Sequence, residues 1–551
     1  MKKSIIICLF TLLFTTPVFA CTNLLVGRGA SVDGSTMVTY SADSYSLFGE
    51  LYHWPAATYP ENTLLDVYEW DTGKYLGKIP QVRQTYNVIG NMNEYQLCIG
   101  ETTFTGRKEL IDTTGIIDYG SLIYITLQRA KTAREAIRIM AELVKEHGYY
   151  SSGESFSIVD KNEVWIMEMI GKGVGNKGAV WVAVRIPDDC IAAHANQSRI
   201  HQFPLNDKEN CVYSPDVISF AREKGYFKGK ETDFSFSKAY NPLDFGGLRY
   251  CEARVWSYYN TYNKDAGKWI DYVLGKDPKP MPLYVKPDRK LSAKDLMNMM
   301  RDHYEGTPLD PTKDIGAGPF HSPYRFSPLQ WQLDSVDYCF ERPISTQQTG
   351  FTFVGQMRNY LPDEVGGVFW FGVDDAMFTV YTPMYASMTQ TPECYRVGNG
   401  DFNHFSWTSA FWIHNWVANM AYNRYDQVIL DTKPLQDKLE NGFVDMQPLI
   451  EQKATELVKK DRKEALNFLT DYSISQAQKA TSKWKSLGEY LIVKYMDGCV
   501  KKEKDGKLIT NEYGHSQYPN RPKMDPGFYR KVVTETGDWL KVKEVPKEYL
   551  E

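Results

Sequence analysis

The chain has 551 residues, of which 43% are apolar and 24% charged, enough for a deep core and more than one lobe. Its net charge of −5 comes without any basic stretch patterned to track nucleic acid, and after the N-terminal segment no apolar run is long enough to span a bilayer. The composition thereby argues against nucleic-acid binding and against a membrane-spanning helix in the mature chain.

The first twenty residues carry Lys2 and Lys3, an apolar run from Ile5 to Phe14, and small-residue spacing at Val18 and Ala20. That is the pattern of a secretory signal peptide, with an apolar run too short for a membrane helix. A cut after Ala20 makes Cys21 the first residue of an exported protein, which then carries a thiol and a free α-amine together. These groups titrate near ~8.5 and ~8, so the amine can take the thiol proton at neutral pH and no histidine is needed. Nucleophile and base on one residue point to acyl transfer, most simply amide hydrolysis. Two other readings stay open. Val18-Phe19-Ala20-Cys21 resembles a lipoprotein site, apart from the bulky Phe19, and lipidation would block both groups. Cys21 could also be an ordinary residue just past the true cut.

Of nine cysteines, Cys8 leaves with the signal. Cys21, Cys98, Cys190, Cys211, Cys251, Cys339, Cys394 and Cys499 remain, none in CxxC spacing. Export permits disulfides, but the spacing suits neither a disulfide scaffold nor a zinc site. Mostly buried free thiols are expected, with room for one bridge.

Beyond Cys21 the short apolar stretch Thr22 to Val26, the turn residues Asp33-Gly34 and the stretch Ser35 to Tyr40 predict a hairpin. Its fold-back brings Asp43 beside Cys21, where a carboxylate can orient the α-amine. Two strands are predicted over 82–89 and 96–101, then one or two helices over 122–147. In these, Thr132 and Glu135 form a capping box, and Ile137, Met140, Leu143 and Val144 share a face. Strands follow at 156–159, 164–169 and 180–186, with a glycine-rich connection at Gly171, Gly173, Gly175 and Gly178 that lacks the ending of a phosphate loop. Asn196 sits at a strand end, where its amide can face an oxyanion. A helix over 291–301 leads into His303-Tyr304-Glu305-Gly306-Thr307. Further strands are predicted at 351–357 and 368–381, and Trp407, Trp412 and Trp416 recur at helical spacing as core residues. After Pro434 the composition predicts long amphipathic helices to Met496 and a Lys- and Pro-rich tail. No HExxH or GxSxG occurs. Strands, helices and strands again suggest a layered α+β fold.

Cys21 to Met37, together with Asn93-Glu94, Glu101-Thr102-Thr103-Phe104, Asn196-Gln197, His303 to Thr307 and the Trp-rich region, resembles the bacterial cysteine dipeptidases of the dipeptidase A and secernin type. The likeness runs from Cys21 to about residue 425. It implies an N-terminal nucleophile hydrolase fold, an αββα sandwich of antiparallel sheets shared with penicillin V acylase and the conjugated bile salt hydrolases. The implied division is a signal peptide at 1–20, the catalytic domain at 21–430 and a helical segment with its tail at 431–551.

The resemblance further implies hydrolysis of dipeptides by Cys21, with no cofactor or metal and with room for a homo-oligomer. Asp43 matches the acidic residue near the amine, Thr103 the backbone oxyanion donor, and Asn196 the side-chain oxyanion donor. Arg254 matches the arginine that braces the site, with Arg249 close enough to compete for the role. Tyr40 stands where the pattern usually has an arginine near the thiol, so activation leans on the amine itself or on another group such as Arg254. Glu101 is the candidate for the substrate's ammonium. A related acylase and a non-enzymatic lipoprotein remain as alternatives, and location in the periplasm or outside the cell stays open.

Overall fold

The stretches rich in β-branched and aromatic residues pair into two large antiparallel sheets. The structure, a computed structural model, describes residues 21–325 and 329–544, so the signal peptide expected at 1–20 lies outside the described residues. The seven-stranded sheet runs in the order Tyr284–Val285, Ile191–His194, Asn23–Val26, Thr36–Asp43, Thr349–Met357, Gly367–Val373 and Thr382–Tyr385. The N-terminal hairpin sits at its centre, with Leu25 opposite Val38. Asp33 ties the turn by accepting from the Ser35 N–H and from the hydroxyls of Ser31 and Ser35, and Gly34 takes the left-handed conformation the turn needs. The eight-stranded sheet runs Cys211–Tyr213, Ala179–Ile186, Val164–Gly171, Gly153–Val159, Cys98–Thr105, Met92–Asn93, Val88–Ile89 and His53–Trp54.

Three apolar clusters define the layers. One joins Leu25, Val38 and Phe353 of the first sheet to Cys98, Ile166 and Val182 of the second, filling the space between them. Another packs Phe156, Trp165 and Met167 against Leu122, Ile137 and Met140 of the helices Tyr119–Leu127 and Ala133–His147. The third packs Leu24, Val26 and Trp370 against Ala253–Tyr262, Ala410–Tyr422, Tyr425–Lys460 and Arg462–Tyr495. Leu24 and Leu25 thus face opposite layers, as strand alternation requires. The fold is mixed α+β, with helices on the outer face of each sheet. Residue 430 falls inside Tyr425–Lys460, and both long helices belong to the same core as the first sheet.

His194 stitches the sheets together. Its Nδ1 bonds the Thr102 hydroxyl and its Nε2 the Ser157 hydroxyl, each at 2.7 Å. Burial lowers its pKa to about 3, so the ring is neutral.

Some local expectations change. Thr132 caps the Glu135 N–H, but the Glu135 carboxylate takes the Lys131 N–H, so the reciprocal half of the capping box is displaced by one residue. The strand predicted over 368–381 breaks after Val373, because Asp374 adopts φ 67° and the Asp375 carboxylate caps a 3-10 turn at Ala376–Phe378. The tryptophan stripe is not core. Trp407 precedes the helix and is 49% exposed, Trp412 and Trp416 are half-buried, and the buried face is Phe411, Ile413, His414, Val417, Ala418 and Ala421. All eight cysteines among the described residues are free thiols.

Candidate active site

Thr22 exchanges backbone hydrogen bonds with Ser41, which sets Cys21 beside Asp43 at the open end of the hairpin. The facing sheet approaches closely here because Gly100 has no side chain: a Cβ at that position would lie 2.4 Å from Asn23 Oδ1. Asn23 uses the gap to donate from Nδ2 to the Glu101 carbonyl at 2.7 Å. Glu101 is thereby fixed against the thiol, its Oε1 at 3.7 Å from Sγ. The Tyr40 hydroxyl lies 3.8 Å from Sγ and donates to the same Glu101 oxygen. The Tyr40 ring is wedged edge-on between Phe351 and Phe353 at 5.6 and 5.7 Å.

Arg254, fully buried on Ala253–Tyr262, reaches the hairpin from behind. It donates from Nη1 to the Cys21 carbonyl at 2.6 Å and to Thr22 Oγ1 at 2.8 Å. Its Nη2 donates to the Ala195 carbonyl and to Asn196 Oδ1, both at 3.0 Å. Arg249, the other candidate, instead pairs with Glu341. Asn196 stands at φ 66°, a left-handed conformation that asparagine tolerates, and its Nδ2 donates to the Thr103 carbonyl at 2.8 Å. One amide hydrogen of Asn196 is left for another acceptor. The strand ladder shifts register between Thr103 and Thr105, a bulge that re-aims the backbone at this point. Thus Cys21, Thr103, Asn196 and Arg254 form one bonded unit.

Asp43 borders this unit with both oxygens engaged. Oδ2 accepts from Arg342 Nη2 at 2.7 Å and Oδ1 from Thr349 Oγ1 at 2.7 Å. The thiol stays protonated at rest: burial pushes its pKa well up, and the charges of Glu101 and Asp43 add to the effect. Burial also raises Tyr40 well above its usual value, and it carries Glu101 up to about 7. Tyr40 further lines a narrow aromatic cavity of about 40 Å³ with Tyr52, Trp54, Trp70 and Tyr119. A larger groove, about 650 Å³, lies between Ala133–His147 and the Trp165–Trp181 face and contains none of these site residues.

Sequence reasoning missed Arg342 and Asn23; it put Tyr40 near the thiol and Glu101 in the site, but not the bond between them nor the contact of Glu101 with Sγ. Arg342 lies in no motif, and Asn23 reads as an ordinary strand residue. Glu101 is 80 positions from Cys21, and only the packing of one sheet on the other brings them together. Among the described residues no group of three His, Cys, Asp or Glu side chains could hold a metal ion, and no helix is long and apolar enough to cross a membrane.

Residues 20–438 match peptidase family C69. The chain is 26% identical over 428 residues to a probable dipeptidase of Latilactobacillus sakei, covering 74% of this chain and 82% of the relative. It is 26% identical over 401 residues to a probable dipeptidase of Salmonella dublin, covering 69% and 83%. A probable dipeptidase B of Streptococcus pyogenes serotype M1 is 23% identical over 497 residues, covering 86% and 93%. With a match spanning most of its length around the Cys21 site, the chain belongs to peptidase family C69.

Proposed function

We propose that this protein is an exported cysteine dipeptidase of the N-terminal nucleophile type, activated when signal cleavage after Ala20 frees the α-amine of Cys21. The observation that carries the reading is the bonded unit in which Arg254 holds both the Cys21 carbonyl and the Asn196 amide, so that nucleophile and oxyanion donor share one brace. Two antiparallel sheets between helical layers support the αββα assignment.

In the proposed reaction the α-amine takes the thiol proton and Sγ attacks the carbonyl carbon of the dipeptide. The resulting oxyanion rests on the Thr103 N–H and the remaining amide hydrogen of Asn196. The α-ammonium returns its proton to the leaving nitrogen as the C–N bond breaks, which leaves a thioester on Cys21. Water, deprotonated by the same amine, attacks the thioester and releases the first amino acid and the thiol. Asp43, neutralised by Arg342, orients the amine.

Intact-mass analysis of the exported protein, with kinetics on free dipeptides and on penicillin-like and bile-salt-like amides, tests the proposal. The expected result is an unmodified Cys21 terminus and dipeptide cleavage that disappears in Cys21→Ala. A diacylglyceryl mass on Cys21, or full activity with one extra residue attached before it, would refute the mechanism.

A further inference from the structure

Beside the thiol lies a pair of carboxyl groups that the mechanism above does not use. Glu101 and Glu154 come from adjacent strands, Glu154 standing opposite Thr103 and one diagonal step from Glu101. They are 2% and 0% exposed. Oε1 of Glu101 is satisfied by the Tyr40 hydroxyl and Oε1 of Glu154 by the Thr103 hydroxyl. The Oε2 atoms of both find no donor among the other side chains, and the two carboxyls share a hydrogen bond with each other. The titratable groups around the pair are Cys21, Tyr40, Asp71, Tyr119 and Tyr149, all acids. Among the described residues no Lys, Arg or His bonds either carboxyl.

Two buried carboxyls side by side, with no basic side chain bonded to either, do not both ionise, so the pair retains a proton. Burial and the charge of Glu101 hold it on Glu154. In the proposed reaction the α-amine of Cys21 is oriented by Asp43, and the side chains around the pair bring Glu101 no positive charge. Bond lengths supply one at the right place: in an amino-acid residue the carbonyl carbon and the α-nitrogen are about 2.5 Å apart. With that carbon over Sγ, the α-nitrogen can meet a carboxylate oxygen that itself lies 3.7 Å from Sγ. In a longer or blocked peptide the same place would be taken by a neutral amide, with the preceding chain driven into Tyr40 and Glu101.

Resting on the dipeptidase reading, we infer that Glu101, backed by Glu154, is the anionic socket for the free α-ammonium of the substrate, and that it sets the cut one residue from an unblocked N-terminus. Glu101 is then the binding group and Glu154 a positioning residue that keeps one proton between the two.

The test compares Ala-Ala with propionyl-alanine, which differs only in lacking the amine, on the mature exported protein. Wild type should prefer Ala-Ala, and Glu101→Gln should reduce that preference roughly 30- to 1000-fold by raising KM for Ala-Ala alone. Glu154→Gln, whose amide donates to Glu101 as a protonated carboxyl does, should keep the preference. If Glu101→Gln turns over neither compound, the same ratio is read from their protection of Cys21 against iodoacetamide. A preference kept within threefold in Glu101→Gln overturns the inference. An equal loss for both compounds also overturns it, since Glu101 would then serve the thiol or the enzyme's own amine. A wild type that cleaves no dipeptide defeats the proposed function instead, which separates the two failures.

Discussion

Arg254 donates from Nη1 to the backbone carbonyl of Cys21 at 2.6 Å, across 233 positions of chain. The bond leaves the thiol untouched and fixes the backbone that carries it. The other arm of the same planar guanidinium fixes Asn196, so any rotation of the arginine would move the proposed nucleophile and the proposed oxyanion donor together.

Arg254→Lys keeps the charge but cannot reproduce the fork. The expected loss is about 10²-fold in kcat, a figure typical of small misplacements at a reacting centre, with KM changed only a few-fold. Steady-state kinetics beside the rate of iodoacetamide labelling checks this: labelling at the wild-type rate with low kcat identifies a positioning defect.

Asn196→Ala removes the amide and should lower kcat by about 10²- to 10³-fold. It also puts a Cβ without a compensating side-chain bond at φ 66°, where Asn196→Gly carries no such strain. Both variants should be equally slow while the glycine variant is the more stable. Recovery of activity in Asn196→Gly would assign the defect to the backbone rather than to the lost amide.

The pH dependence follows from Glu101. Its carboxyl is neutral below about pH 7 and charged above it, so the grip on a substrate ammonium is lost as pH falls through 7. At the other end, the dipeptide's own amine loses its charge near ~8. The profile of kcat/KM for Ala-Ala should therefore be a narrow bell whose acid limb combines Glu101 with the α-amine of Cys21, and in Glu101→Gln that limb should lose the Glu101 step and keep only the one set by the amine near ~8. An unchanged acid limb in that variant would place the titration elsewhere.

His194 gives the fold an acid sensitivity of its own. Its folded pKa of about 3 lies below the ordinary histidine value of about 6.5, so the unfolded chain takes up a proton that the native ring refuses. Stability from this residue is complete above pH 6.5 and is lost as pH falls toward 3. His194→Ala strands the Thr102 and Ser157 hydroxyls and should cost about 2–4 kcal/mol at pH 7. Urea melts at pH 7 and pH 5 check both points: the variant should be less stable at pH 7 and lose less on acidification than wild type.

The comparison of sequence with structure separates local from distant information. The N-terminal hairpin was legible because Asp33-Gly34 sits between two apolar stretches, and the strands Gly153–Val159 and Val164–Gly171 because a turn at Asp160 divides them. Asp43 beside Cys21 follows from the same local geometry. The break at Asp374 is marked in the sequence only by the polar pair Asp374-Asp375, which the surrounding β-branched and aromatic run outweighs, and the left-handed φ of Asp374 is seen only in the structure. Nor was the exposure of Trp407 legible, because helical spacing names a face without saying what covers it.

By itself the sequence singled out Cys21 as the proposed nucleophile: a signal-like segment followed at once by a cysteine points to a thiol that cleavage would pair with a free amine, and that reading needs no distant partner. Tertiary structure alone decided the surroundings of that thiol. Gly100 opens the space into which Asn23 docks, and the docking brings Glu101 to Sγ and to the Tyr40 hydroxyl already set there by the hairpin. Strand register then places Glu154 diagonally from Glu101, in a buried patch where the two carboxyls find no basic partner. Contacts between sheets depend on how two surfaces meet, and neither periodicity nor turn chemistry along one strand records the residues on the other.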